Sequence, residues 1–563
     1  MAQKLKRIGA VLIASIMALA LCLPAFASEA DVNGLPSAAD RGEVSISGLK
    51  EGDTVTFYQI VKANYDDEAG FTGYVAVKDA SIPLFDAEGN ALYPTADQAA
   101  ALAADPTGLP SVAADAPAGS DGTVTQALAA GEWLAIVTPG ATNTDTVYNP
   151  LVLSVYYTAN GSKINGGDVT LGKDTVFTIN GDQGYVKKSE VDIDKKIVTP
   201  EEGRTDVANE HGDDLAIGDT INFEISSLIP AYSAEYQSVV YRITDEMDNS
   251  LDLDGNSIVV TVGGTEVEAA ADTFEVTPGA HGFAINFNSD YVLGMGEATD
   301  AQRKVVVTYS ASLNSSATVN FDENNNKATV EFTNSPDESA EPVKKEKETH
   351  QYTFEIDGAI NGSSATINRK GHELIKVDEN GAPQNIGWVN DGVVETEVTT
   401  GLAGAKFTLT YVRDADGNEI AQGDTRRRVY NATTDSNGYF NGFTGLDAGT
   451  YILKESEAPQ NYTLDPTEHT VVISAQYNEE GYLVSFTILI DGEATSTYKA
   501  TYVDGEVTEI TTEGEPETTF IKNVKLNTLP STGGTGTYIL TIIGVAVFAL
   551  AARLAIAGRK KTQ

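Results

Sequence analysis

Lysine, a carboxylic acid and asparagine recur at matched places in this sequence, and together they could join the chain to itself. Val191-Asp192-Ile193-Asp194-Lys195-Lys196-Ile197 alternates in character, so a period of two puts Val191, Ile193, Lys195 and Ile197 on one face. If that face is core, Lys195 is buried. In Tyr241-Arg242-Ile243-Thr244-Asp245 the same period aligns Asp245 with Tyr241 and Ile243, and further on Val330, Phe332 and Asn334 share a face. The set repeats downstream. Lys376 aligns with Leu374, Glu455 with Tyr451 and Leu453, and Asn523 with Ile521. Burying a lysine, an acid and an amide is costly unless they satisfy one another. Burial favours the neutral forms, and a neutral amine is a nucleophile. A protonated carboxyl can polarise the asparagine carbonyl and shuttle protons. Attack on the side-chain carbon of asparagine would expel ammonia and leave a Lys–Asn isopeptide bond, with fixed geometry supplying the rate. The same residues also fit a satisfied buried ion pair, or outward-facing positions if the strand phase slips by one.

Strands must hold these residues. Short alternating runs recur between Gly, Asn and Asp turns, among them Val55–Val61, Val152–Tyr156, Ile221–Ile225, Ile258–Val262, Lys304–Tyr309, Thr470–Ile473 and Tyr482–Ile490. Ala96–Ala104 is the one short helix expected. The spacing predicts an all-β chain of three tandem immunoglobulin-like β-sandwich domains. Boundaries are expected near 187 and 372, giving domains over 28–186, 187–371 (with a charged, Pro-containing linker at 337–348) and 372–526.

The two ends place the chain outside the cell. Leu529-Pro530-Ser531-Thr532-Gly533 precedes an apolar run from Tyr538 to Ala552 and the basic residues Arg553, Arg559, Lys560 and Lys561. This order, over 527–563, reads as a cell-wall sorting signal of Gram-positive bacteria, with a transmembrane sorting segment held positive side in. Residues 1–27 read as a signal peptide: Lys4, Lys6 and Arg7, an apolar core, then Ala25-Phe26-Ala27 with cleavage after Ala27. The only cysteine, Cys22, lies inside it, so the exported chain has no disulfide and any covalent reinforcement needs other chemistry. Cutting after Ala27 and Thr532 removes seven basic residues and no acidic ones. The remaining 505 residues carry 30 basic and 81 acidic side chains, a net charge of −51. Such a surface excludes nucleic acid as a partner.

The stretch Tyr451-Ile452-Leu453-Lys454-Glu455-Ser456-Glu457-Ala458-Pro459-Gln460-Asn461-Tyr462 resembles the YxLxETxAPxGY motif of sortase-assembled pilins and collagen-adhesin B-type domains. It departs at Ser456 for Thr and at Asn461 for Gly. Leu402–Leu409 is similar to that family's LxGAxFxL strand. The resemblance implies Glu455 and Asp245 as the catalytic acids, with bonds between Lys195 and Asn334 and between Lys376 and Asn523. It covers the whole chain, most weakly over the first domain. There Lys62 shares a face with Tyr58 and Ile60, and Asn180 lies near the end, with no acid motif between them. The resemblance further implies a shaft pilin polymerised head to tail with identical subunits. A pilin-specific sortase would cleave at Thr532, and the acceptor lysine would be Lys188, with Lys187 next. A housekeeping sortase would attach the polymer to peptidoglycan, and minor tip and base pilins and a host-surface ligand would be its other partners. The alternative with the same ends is a monomeric wall-anchored adhesin.

No GxSxG, HExxH, Walker or CxxC pattern occurs, and the five histidines lack ligand spacing. No cofactor, no metal and no enzymatic turnover are expected. The Asp-Gly sequences at 254–255 and 416–417 read as hairpin turns rather than calcium loops.

Overall fold

In the computed structural model, residues 28–526 are described except 33, 69, 167–174, 200–206, 358, 361–368, 371–372, 382–400 and 514–517. Ala27 and the sorting residues Leu529, Pro530, Ser531, Thr532 and Gly533 lie outside the described residues. Strands dominate, as the alternation demands. Val55–Val61 lies within Thr54–Asp66, Val152–Tyr156 within Leu151–Ala159, and Lys304–Tyr309 within Lys304–Leu313. Ala96–Ala104 is helical, started by a capping box between Thr95 and Gln98. Its Leu102 and Ala103 pack on Ile60, Leu134 and Ile136.

The described chain forms two compact units. One gathers residues up to 318 with 323–352 and 477–482; the other gathers 319–322, 353–476 and the residues from 483 on. In the first unit an eight-stranded sheet and a three-stranded sheet (Gln183–Tyr185, Gly42–Ser47, Thr123–Leu128) enclose a core with Trp133, Phe57 and Val155. The same unit contains a pair of six-stranded sheets. One runs Ile193–Val198, Thr220–Leu228, Lys304–Leu313, Val259–Val262 and Thr265–Glu266, with Leu251–Leu253 also on Lys304–Leu313. The other runs Gly212–Asp214, Val343–Tyr352, Asn324–Phe332, Tyr241–Met247, Gly282–Phe287 and Phe274–Pro278. Both inner faces alternate buried and outward residues, the mark of a sandwich with one core.

The two sandwiches of this unit are tightly joined, although alternation alone suggests separate domains. Lys188–Glu190 pairs antiparallel with Thr146–Tyr148, and Val147 enters the second sandwich's core. The Tyr236 hydroxyl donates to the Tyr148 carbonyl at 2.8 Å, and Asn149 bonds to both Ala231 and Ser233.

The second unit holds an eight-stranded antiparallel sheet from Phe440–Asn441 to Glu506–Glu513. It also holds a two-stranded parallel sheet in which Leu374–Asp378 lies beside Thr519–Asn523. Parallel neighbours need a long crossover between them. Here almost the whole unit is that crossover, so its beginning and end are brought side by side.

Two buried lysine–acid–asparagine clusters

The residues of the first cluster come from facing sheets. Lys195 lies on Ile193–Val198, where Ile193, Lys195 and Ile197 are buried and Asp194 and Lys196 are not. Asp245 lies on Tyr241–Met247 in the opposite sheet, on the buried face with Tyr241, Ile243 and Met247. Both side chains are fully enclosed. The Lys195 amine donates to Asp245 Oδ2 and, at 2.5 Å, to the hydroxyl of Tyr309. That hydroxyl donates to Asp245 Oδ2 at 2.7 Å. The rings of Phe223 and Tyr309 each sit 5.2 Å from the amine.

The amide of this cluster is Asn326, not Asn334. The strand Asn324–Phe332 pairs with Tyr241–Met247 so that Asn326 is opposite Met247 and Ala328 opposite Asp245. Asn326 is completely buried and its Nδ2 donates to Tyr309 at 3.0 Å. Asn334 obeys the same period of two but falls two residues beyond the strand's end. It is half-exposed, and its amide reaches only the Thr144 carbonyl at 3.4 Å. Sequence periodicity gives the face correctly; the strand's end leaves Asn334 outside, and of the two asparagines buried on that face Asn324 bonds to the Thr318 and Gln351 carbonyls while Asn326 bonds to Tyr309. Tyr309 carries no sequence signal of its own, because it reads as one more apolar position of Lys304–Leu313.

Burial drives the ionisation of this cluster. It lowers the Lys195 amine, against the opposing pull of Asp245. It raises the Asp245 carboxyl, against the pull of Lys195, and raises the Tyr309 phenol, with Asp245 adding to the effect. All three groups move toward their neutral forms, those needed for amine attack.

The second cluster unites the three expected residues. The parallel register puts Lys376 opposite Ile521 and Asn523 opposite Asp378, so Lys376 and Asn523 are diagonal neighbours. Glu455 comes from Gly449–Glu457, whose Tyr451, Leu453 and Glu455 are buried. Lys376 Nζ is 3.3 Å from Glu455 Oε1. Asn523 Nδ2 donates to Glu455 Oε2 at 2.9 Å and to the Thr463 carbonyl at 2.5 Å. The ring of Phe407 lies 5.3 Å from the amine, which burial again lowers. Glu455 Oε2 also accepts the Asp465 amide at 2.7 Å, which fixes the carboxylate from outside the cluster.

Among its described residues the first sandwich brings together no such set. Lys62 is exposed, because its strand is paired on both edges there and the side chain leaves the core face. Asn180 is buried but donates to Thr178 at 3.2 Å. Two acids of this sandwich are enclosed: Asp53 is hydrogen-bonded by Tyr148 and Asn143, whereas Glu132 is fully buried with neither oxygen hydrogen-bonded. Burial, with Asp182 nearby, pushes its carboxyl up to about 9.

Lys187 and Lys188 are both exposed. Lys188 opens the strand paired with Thr146–Tyr148, while Lys187 sits in the break before it, its carbonyl taking the Asn149 amide at 3.0 Å. The two Asp-Gly sites are turns: Asp254 accepts the Asn256 amide, and Asp414 holds the Asn418 backbone and side chain. Among the described residues no group of three or more His, Cys, Asp or Glu is placed to hold a metal ion.

Comparison with known proteins agrees with this architecture. The family model described as Gram-positive pilin backbone subunit 2, Cna-B-like domain, matches residues 217–336. A prealbumin-like fold domain of SpaA type matches 393–488, a T6 antigen Ig-like domain matches 39–182, and an LPXTG cell wall anchor motif matches 521–562. The chain is 24% identical to the trypsin-resistant surface T6 protein of Streptococcus pyogenes serotype M6, over 93% of this chain and 95% of that one. The solved T6 backbone pilin of serotype M6 Streptococcus pyogenes superposes with a TM-score of 0.56 at 20% identity, covering 87% of this chain and 100% of that one, a likeness of fold.

Proposed function

Since the chain is a sortase-assembled backbone pilin of Gram-positive bacteria, anchored to the cell wall through its LPXTG motif, we propose that each lysine–acid–asparagine cluster closes an isopeptide bond. The bonds are Lys195–Asn326 and Lys376–Asn523. The observation that carries the reading is their shared composition: an enclosed amine, an enclosed acid in contact with it, and an enclosed amide within reach of the same network. In each, the neutral amine attacks the asparagine side-chain carbon, the carboxyl polarises the amide, and ammonia leaves. Asp245 and Glu455 are the acids. The reaction runs once per site and modifies the subunit itself.

Three domains, over 28–186, 187–371 and 372–526, divide this work; the second and third each carry one bond. Lys188 is the acceptor that joins subunits. Its strand fixes the backbone while leaving the amine in solvent, so the nucleophile is presented from a rigid element. A pilin-specific sortase transfers the acyl group formed at Thr532 to that amine. A housekeeping sortase moves the finished polymer to peptidoglycan, minor pilins cap its ends, and a host-surface ligand is met at the cell exterior. The test is intact mass of the secreted subunit, expected to be lower than the sequence mass by two ammonia molecules. A mass matching the uncyclised sequence would refute both bonds.

A further inference from the structure

The two clusters solve the same proton problem with different parts. When an amide forms between Lys and Asn, the attacking nitrogen must lose one hydrogen and the departing nitrogen must gain one. In the second unit a single carboxyl touches both nitrogens: Glu455 Oε1 is 3.3 Å from Lys376 Nζ, and Oε2 accepts from Asn523 Nδ2 at 2.9 Å. In the first unit the acid is Asp245, one methylene shorter. It meets the Lys195 amine, but Asn326 Nδ2 donates to Tyr309 instead. Asp245 Oδ1 and Asn326 Oδ1 are both without a hydrogen-bond partner. The Tyr309 oxygen lies 2.5 Å from the attacking nitrogen and 3.0 Å from the departing one, and bonds to the acid at 2.7 Å. The aromatic ring near the lysine in the second unit, Phe407, has no hydroxyl.

We propose that Tyr309 is a catalytic residue of the Lys195–Asn326 reaction: its hydroxyl carries the proton from the lysine nitrogen to the leaving asparagine nitrogen, the step that Glu455 performs alone in the other cluster. This rests on the isopeptide reading above. The Nζ–Cγ bond forms and the Cγ–Nδ2 bond breaks. One hydrogen of Nζ passes to the Tyr309 oxygen as the phenol's own proton passes to Nδ2, which leaves as ammonia. Tyr309 and Asp245 end as they began, and no further reactant is needed. Burial of the phenol keeps it protonated until that exchange.

The test is Tyr309→Phe in the full chain, with peptide mapping at intervals after translation is stopped. The expected result is a prompt Lys376–Asn523 bond and a Lys195–Asn326 bond slowed at least about 100-fold, the lower range for general acid–base catalysis. A middle bond that forms at the wild-type rate overturns the role of Tyr309 while leaving the bond itself standing. A wild-type chain lacking the Lys195–Asn326 cross-link, with Tyr309 intact, overturns the bond and with it the role. Where Tyr309→Phe does not fold, 3-fluorotyrosine at 309 keeps the shape and makes the phenol more acidic. A changed rate then supports the relay, and a rate within twofold of wild type overturns it.

Discussion

Replacing Lys195 with Met removes the nucleophile at nearly constant volume, and the structure sets the size of the loss. The proposed bond to Asn326 would close a loop of 131 residues, counted from the two positions. In the chain-entropy treatment of cross-links, a loop of that length stabilises the fold by about 5 kcal/mol. For a domain the size of 187–371 each kcal/mol moves the midpoint by roughly 2–4 °C, so Lys195→Met should lower that domain's thermal midpoint by roughly 10–20 °C. Packing adds little, because Met fills the space beside Phe223 and Tyr309. Asn326→Ala should fall by a similar amount, and the double variant should fall hardly further, since either change alone abolishes the same bond. Asn334→Ala should melt like wild type, its side chain lying outside the cluster. The assay is calorimetry of the secreted subunit, paired with its mass. A Lys195→Met midpoint within about 2 °C of wild type, or strictly additive losses in the double variant, would refute the cross-link argument.

Other consequences are equally direct. Lys188→Ala should abolish the high-mass ladder in boiled cell-wall extracts while monomer remains wall-bound; a ladder that persists with Lys187 and Lys188 both replaced removes that pair as acceptor. Glu132 should make the first sandwich less stable as pH rises. Its folded carboxyl titrates at about 9, above the ordinary value near 4.5, so the native state holds the extra proton between those limits and stability falls across them. Glu132→Gln should flatten that slope and add on the order of 3 kcal/mol at pH 7; parallel melting curves at pH 5 and 8 for the two proteins would contradict it. Asn461 has φ +72° in the turn whose carbonyl accepts the Leu526 amide. Asn461→Val should therefore cost about 1–2 kcal/mol, and Asn461→Gly nothing, as read by chemical denaturation.

Much of the catalytic constellation is written in strand periodicity. Lys195, Asp245, Glu455 and Asn523 are each enclosed on the face that alternation assigns them, because a core face allows no slip of one residue; Lys376 is enclosed on a strand buried on both faces, where phase decides nothing. Asn334 shows the limit. Alternation says which side a residue faces and nothing about where pairing stops, and of the three consecutive asparagines at 324–326 both Asn324 and Asn326 are buried, only contact with Tyr309 singling out Asn326. Tyr309 was illegible for a different reason: its role arises from a strand more than sixty residues from Asp245, and only the facing of two sheets brings its hydroxyl to the amine. The join between the first two sandwiches rests on Val147 and Asn149, which look like ordinary loop-edge residues in the sequence. The departure at Asn461 from the glycine of the resembled motif becomes intelligible through its positive φ, which asparagine tolerates best after glycine.

The parallel pairing of Leu374–Asp378 with Thr519–Asn523 has a mechanical meaning. A pull on the start of the first strand and the end of the second loads the pair in shear, and a Lys376–Asn523 bond carries that load directly between strands. The 146 residues between them then bear no force. At about 3.4 Å each they amount to roughly 500 Å of chain that traction cannot pay out. A Lys195–Asn326 bond would withhold a comparable length. In a fibre of such subunits with both bonds closed, the chain that traction could pay out would be confined to segments outside the two loops, such as residues 327–375.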